Sequence, residues 1–94
     1  MKLGERIIIE GFDSMEPAML IVIKKIIGNN AKTISENYGE FTTLNIKIKP
    51  ETKYELETEL VLNGNTYSAD ASNGNLFFAL NTLFNGLNTK IKTQ

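Results

Sequence analysis

The sequence contains no cysteine, no histidine and no tryptophan. Without cysteine there is no disulfide framework, no thiolate nucleophile and no cysteine-based metal site. Without histidine the chain also lacks the commonest general acid–base residue and the commonest ligand of transition metals. These absences argue against an enzyme, and we predict no catalytic residue, no bound metal and no cofactor.

Positive charge is scarce, because ten Lys and Arg residues face eleven Asp and Glu residues and the net charge is −1. Proteins that bind nucleic acid through their overall charge are basic, so a phosphate-binding surface here has to be local, and no DNA partner is expected. Long hydrophobic runs are missing as well. The most apolar stretch, residues 19–27, is interrupted by Lys24 and Lys25 and is too short to span a bilayer.

The apolar run at residues 7–9 is also too short for the core of a signal peptide. We therefore expect no membrane partner and a cytoplasmic location. A chain of 94 residues with 41% hydrophobic residues is typical of one small globular domain, which we predict to cover residues 1–94.

The first part of the chain is predicted to form a strand and then a helix. Residues 2–11 contain a β-branched run that favours a strand. Asp13 and Ser14 are candidate N-caps, and Glu16 stands three residues after Asp13, as in a capping box. The pattern predicts a helix over residues 15–27.

The end of this helix is predicted at Gly28 and Asn29, residue types that are common at helix C-termini. Residues 30–40 are polar and are interpreted as a connection. A short helical extension over residues 32–36 is the alternative, and whether this segment is ordered stays open.

Apolar and polar residues alternate from residue 41 onward, which indicates half-buried strands. One strand ends at Pro50, residues 50–52 are a plausible hairpin loop, and the next strand covers residues 53–62. Asn63-Gly64 then favours a type I′ turn, which requires positive φ at both residues. This turn predicts the following pairs: Leu62 with Asn65, Leu60 with Tyr67, Thr58 with Ala69, Leu56 with Ala71, Glu59 with Ser68, and Glu57 with Asp70.

A helix is predicted over residues 75–92, with Asn73 or Asn75 as its N-cap. Its apolar positions follow helical spacing: Leu76, Leu80, Leu83, Phe84, Leu87 and Ile91. The predicted fold is a two-layer α+β sandwich of order β-α-β-β-β-α, with a four-stranded, mostly antiparallel sheet and two helices on one face.

Three features from residue 56 to residue 92 together resemble a known family. A strand ends in Leu62-Asn63-Gly64, the next strand closes on Ser68-Ala69-Asp70-Ala71, and a short glycine-containing turn opens the helix Leu76-Phe77-Phe78-Ala79-Leu80-Asn81-Thr82-Leu83-Phe84-Asn85. In these features the chain resembles the ribosome hibernation-promoting factors, also called ribosome-associated inhibitors or sigma-factor modulation proteins. The fold is similar to that of the double-stranded RNA-binding domain. The resemblance implies a cytoplasmic factor that binds the small ribosomal subunit and silences translation.

Phosphate contacts dominate the affinity for RNA and need clustered positive charge. The candidate RNA-binding residues are Lys24, Lys25, Lys32, Lys90 and Lys92. If the two helices lie side by side, these lysines are expected to form one patch. The alternative is that lysines at a helix C-terminus only complement the helix dipole and remain solvated.

The solvent face of the predicted sheet is a poor candidate for RNA binding. Single-strand RNA readers present aromatic residues on such a face, whereas this one presents carboxylates. Glu57, Glu59 and Asp70 are not interpreted as catalytic, because an open face provides no cleft that shifts their pKa values. We expect a solvated face with cross-strand ion pairs such as Lys47 with Glu55.

Phe78 is predicted on the exposed side of the second helix, opposite its apolar stripe. Grouped with Tyr38 or Phe41, it is a candidate contact for a protein partner or for a homodimer. This is the alternative function: a protein-interaction or dimerisation module of the same fold that does not bind RNA. The few basic residues favour it, whereas the family resemblance favours the small ribosomal subunit or a structured RNA as partner.

Overall fold

The computed structural model describes residues 2–3, 6–13, 15–50 and 53–93, and its elements follow the predicted order. The α+β class and the β-α-β-β-β-α order are confirmed. The elements are β1 (Lys2–Leu3), β2 (Ile7–Glu10), α1 (Pro17–Tyr38), β3 (Thr43–Pro50), β4 (Tyr54–Leu62), β5 (Asn65–Asn73) and α2 (Leu76–Lys92).

The first predicted strand is divided into two parts. β1 pairs antiparallel with β2, with Leu3 opposite Ile7, so the chain reverses direction between them. This adds a two-residue edge strand to the four predicted strands, and the described sheet has the order β1-β2-β3-β4-β5.

Strand directions place both helices in one layer with the same orientation. β2 and β3 are parallel, and β3, β4 and β5 form an antiparallel meander, so β2, β3 and β5 all point the same way. Each helix follows one of these strands and packs back over the sheet. Buried residues of both helices share one core with the inner sheet face. The two helices therefore begin at the same end of the domain.

The hairpin between β4 and β5 has the predicted turn and register. Asn63 and Gly64 have φ values of 53° and 78°, as a type I′ turn requires. Leu60 lies opposite Tyr67 and Glu57 lies opposite Asp70, and the other predicted pairs are also present. Turn chemistry and hydrophobic alternation specify the same register, because a slip of one residue would expose the apolar face.

The predicted end of α1 at Gly28 and Asn29 is wrong, since the helix continues to Tyr38. Ile27, Ala31 and Ile34 are all buried, so the core-facing side of the helix persists beyond the predicted end. The polar side chains along this extension bond to the helix itself. The Asn30 side-chain amide donates to the Ile26 carbonyl and the Thr33 hydroxyl donates to the Asn29 carbonyl.

The helix ends instead at Gly39, whose φ is 96° and whose N–H donates to the Ser35 carbonyl. Residues 30–38 are therefore helical rather than a connection, and the alternative extension at residues 32–36 lies within α1. The spacing of the buried residues 27, 31 and 34 continues the helical period beyond Gly28. A glycine alone is only a weak signal for the end of a helix.

The start of α1 also differs from the prediction. The N-cap is Glu16, which makes no side-chain capping bond, and Pro17 occupies the first turn. Asp13 is not the cap, because the Met15 N–H donates to the Phe12 carbonyl in a turn that precedes the helix. Ser14, and Glu51 and Thr52 of the predicted hairpin loop, lie outside the described residues.

The core lies between the helix layer and one face of the sheet. Thr58 is a polar residue buried there, and its hydroxyl donates to the Asn45 carbonyl across 2.9 Å. Phe12 and Phe41 are core residues that the sequence pattern did not single out. Neither helix of the described chain is both long and apolar enough to cross a membrane.

Candidate functional site

The candidate lysines of α1 lie along its middle. Lys25 and Lys32 are exposed and are seven residues apart, which is two helical turns, so they lie on the same side of the helix. Lys24 is half-buried. A long lysine stem can cover apolar surface while its amine stays in water. Lys25 and Lys32 are therefore the α1 lysines most accessible to a phosphate.

The candidate lysines of α2 are both in its last turn. Both side chains are exposed, but they differ in their contacts. The Lys90 amine donates a hydrogen bond to the backbone carbonyl of Ser68 in β5, so this side chain is directed toward the edge of the sheet. Lys92 has no such contact among the described residues and is the freer cation of the two.

The five lysines differ in their position along the helix layer. At 1.5 Å per residue, Lys24 and Lys25 lie about 10 to 12 Å from the start of α1 and Lys32 about 22 Å. On α2, Lys90 and Lys92 lie about 21 to 24 Å from its start. Because both helices begin at the same end, Lys32 is the α1 lysine at the level of the α2 lysines, and Lys24 and Lys25 lie nearer the opposite end.

Charge is segregated between the two layers. The helices carry the five candidate lysines and a single acidic residue, Glu36. The outer face of the described sheet has the opposite balance: Glu10, Glu55, Glu57, Glu59 and Asp70 against Lys47 and Lys49. An anion is therefore attracted to the helix layer and repelled by the sheet face.

The ion pair expected on the sheet face has a different partner. β3 and β4 pair with Lys47 opposite Glu57 and Lys49 opposite Glu55, so the predicted Lys47–Glu55 pair is wrong. Lys47 instead approaches Glu10 of the neighbouring strand β2, at 3.8 Å between amine nitrogen and carboxylate oxygen. The register depends on the β3–β4 connection, which the sequence does not specify as sharply as Asn63-Gly64 specifies the next one.

Three carboxylates of this face lie on the adjacent strands β4 and β5. Glu57 and Asp70 are directly opposite each other and exposed, and Glu59 lies one pair further along. Among the described residues, no group of three or more Asp, Glu, His or Cys side chains is arranged to hold a metal ion.

Phe78 is exposed, as predicted, with 62% of its surface accessible. The predicted grouping with Tyr38 or Phe41 is wrong. Phe41 is buried in the core. Tyr38 ends α1, whereas Phe78 is in the first turn of α2, so the shared orientation of the helices puts them at opposite ends.

Other exposed apolar residues lie at the same end as Phe78. Ile21 and Val22 are in the second turn of α1 and Phe77 precedes Phe78, with accessible fractions from 41% to 68%. The sequence predicts burial for Ile21 and Val22, because both residues belong to its most apolar stretch. Continuing the buried spacing of Ile23 and Ile27 back along α1 would have placed Ile21 and Val22 on the solvent side.

No family model and no curated protein matches the chain. Solved structures do match it along almost its whole length. A ribosomal subunit interface protein from Coxiella burnetii superimposes with a TM-score of 0.76 at 16% identity, covering 95% of this chain and 96% of that one. The N-terminal domain of Thermus thermophilus Protein Y gives a TM-score of 0.72 at 15% identity, with 93% of each chain covered.

This chain has the fold of those two proteins. The coverage is nearly complete in both directions, so the likeness includes both helices and the sheet and extends well beyond the hairpin and helix that suggested it. The family resemblance is confirmed as a resemblance of fold. At this level of identity the residues that contact a partner are not transferred with the fold.

Proposed function

We propose that the chain is a non-catalytic, cytoplasmic factor that binds the small ribosomal subunit, or another structured RNA, and modulates translation by occupying its site. The observation that carries the proposal is the nearly full-length likeness to a protein described as a ribosomal subunit interface protein. No catalytic step is needed, because a bound domain blocks whatever would otherwise use the same surface.

The segregated charge supports the helix layer as the surface that contacts RNA. Phosphate contacts supply most of the affinity for a nucleic acid and come from Lys and Arg. The helix layer offers Lys24, Lys25, Lys32, Lys90 and Lys92, whereas the sheet face has a net negative charge. We therefore expect the helix layer, rather than the sheet, to face the RNA, although the net charge of the chain is slightly negative.

Co-sedimentation with purified small ribosomal subunits tests the proposal. At ~50 mM salt, where phosphate contacts are strongest, the protein should pellet with the subunits, and it should be released as salt rises. A folded double-stranded RNA serves as the second binding partner. Comparing the two partners separates binding to the ribosome from general binding to RNA. Protein that stays in the supernatant with the subunits, and that does not bind the double-stranded RNA in a gel-shift assay at low salt, contradicts the proposal.

A second function, a protein-interaction or dimerisation module that does not bind RNA, is supported by the exposed Phe78 and by the exposed Ile21 at the same end of the helix layer. Exposed aromatic residues commonly anchor protein interfaces. Under this alternative, Phe78→Ser abolishes capture of a partner protein or self-association, and RNA binding is absent throughout. A wild-type protein that captures no partner and is monomeric by light scattering contradicts this alternative.

A further inference from the structure

The strand β5 forms one edge of the described sheet over nine residues. In a two-residue hairpin the residues that flank the turn exchange both backbone hydrogen bonds, so Asn65 and every second residue after it bond to β4. The residues between them direct their N–H and C=O groups away from the sheet: Thr66, Ser68, Asp70 and Ser72. The hydrogen bond from Lys90 to the Ser68 carbonyl confirms this direction.

We propose that two copies of the chain associate through β5, antiparallel, and join their sheets across a two-fold axis at Ala69. In that register Ser68 of each copy lies opposite Asp70 of the other, and Thr66 lies opposite Ser72. All four are residues whose backbone groups point outward, so each facing pair can exchange two hydrogen bonds. An exposed edge of this length is a template for such pairing.

The side chains of β5 suit this register on both faces. On the outer face each carboxylate of Asp70 meets a serine, whereas a shift that put Asp70 opposite itself would bring like charges together. On the inner face Tyr67 lies opposite Ala71, and the two copies of Ala69 meet at the axis. The polar positions of β5, NTYSADASN, are thus symmetric about Ala69, whereas Tyr67 and Ala71 differ in size. This self-complementarity points to a second copy rather than to an unrelated strand.

The flank of α2 that lies next to β5 is also suited to a close approach by the second copy. Gly86 lies above Ala69, since a Cβ added there would come within 3.8 Å of the Ala69 Cβ. Thr82 and Thr89, four residues before and three residues after Gly86 on the same side of the helix, are also small and are exposed. Lys90 is the long side chain on this side and extends to the β5 edge. Joining two sheets brings the two copies of α2 together, and small facing side chains permit a short distance between their axes.

The hydroxyls on this flank do not oppose such packing. Thr89 donates to the Asn85 carbonyl and Thr93 donates to the Lys90 carbonyl, so both bond within the helix. They leave methyl groups for contact with the second copy. Lys90 has to release the Ser68 carbonyl on pairing, because the second strand takes its place at this edge.

Ser68→Asp tests the register, because it puts a carboxylate opposite Asp70 of the other copy at two symmetric places. Asn45→Asp is the matched control. Ser68 and Asn45 lie on either side of Glu59 on the same face, so both variants add a charge beside Glu59, but only residue 68 is at the edge. Sedimentation velocity over a concentration series measures the association. Lys90 is left unchanged because it belongs to the proposed RNA surface.

The wild type and Asn45→Asp are expected to dimerise alike, and Ser68→Asp is expected to raise the dissociation constant about tenfold or more. Ser68→Lys, which meets Asp70 with an opposite charge, should lower it. A wild type that stays monomeric into the millimolar range overturns the proposal. The proposal is also overturned if Ser68→Asp and Asn45→Asp weaken dimerisation equally. It is likewise overturned if Phe78→Ser is the only variant that removes the association.

Amide hydrogen exchange gives a test that needs no variant. The N–H groups of Thr66, Ser68, Asp70 and Ser72 should become protected as the wild-type concentration rises, while Gly64 in the turn stays unprotected. Edge amides that exchange at the same rate at all concentrations overturn the proposal. This result is independent of RNA binding, so its failure leaves the proposed function intact, and the reverse also holds.

Discussion

The carbonyl oxygen of Ile48 lies against the backbone of Gly11, in the space that a side chain at residue 11 would occupy. Gly11 has a φ of 85°, a conformation that other residues rarely adopt. This glycine ends β2 and turns the chain so that Phe12, which is fully buried, enters the core. The close approach of β3 therefore depends on the absence of a Cβ.

Gly11→Ala is expected to lower the free energy of unfolding by about 3 kcal/mol, because backbone strain and a collision with the Ile48 carbonyl add together. Urea denaturation followed by circular dichroism measures the change. A loss below about 1 kcal/mol would mean that β3 moves aside easily and that the contact is not needed for the fold.

Gly28→Ala should have the opposite effect. Gly28 lies inside α1, and a Cβ added there has no neighbouring atom within 4 Å. Alanine reduces the entropy of the unfolded chain, so we expect a gain of about 0.5 to 1 kcal/mol in the same urea experiment. A destabilised variant would show that the helix does end at Gly28 in solution.

The cap of α2 gives a third prediction. The side-chain oxygen of Asn75 accepts hydrogen bonds from the N–H groups of Phe77 and Phe78, at 2.9 and 3.2 Å. Asn75→Ala leaves both donors without this partner and should cost about 1 kcal/mol, whereas Asn75→Asp keeps the acceptor and should cost little. Thermal melts of the wild type and the two variants measure the difference in stability. An equal loss of stability in both variants would indicate that the amide group of Asn75, rather than its capping oxygen, stabilises the helix.

The hairpin and α2 were predictable because several local signals agree there. Asn63-Gly64 specifies a turn type, and the alternation on both sides of it specifies the same register. Asn75 precedes a helical stripe that starts at once with Leu76. Agreement between turn chemistry, capping and pattern leaves a single arrangement that satisfies all of them.

The length of α1 was not predicted, because Gly28, Asn29 and Asn30 are weak helix formers. Packing outweighs this preference, since Ala31 and Ile34 keep the helix on the sheet. The burial of Phe12 depends on a turn at Gly11 that only the contact with β3 makes evident. The direction of Lys90 toward the edge of β5 likewise depends on how α2 lies over the sheet, which no local signal specifies.

The lysines of α1 provide the sharpest test of the RNA surface. Lys25 and Lys32 are exposed on one side of the helix, so removing both should weaken RNA binding without affecting the core. Each phosphate contact that is lost lowers the slope of log affinity against log salt by about one. Lys25→Ala combined with Lys32→Ala is therefore expected to reduce this slope by about two, as measured by fluorescence anisotropy on a structured RNA.

Lys49→Ala is the matched control, because Lys49 is also an exposed lysine but lies on the acidic sheet face. It should leave both the affinity and the salt slope unchanged, since the negative face is expected to point away from the RNA. If Lys49→Ala lowers the slope as much as a single α1 substitution, the lysines act only through net charge. The helix layer would then not be the surface that contacts RNA.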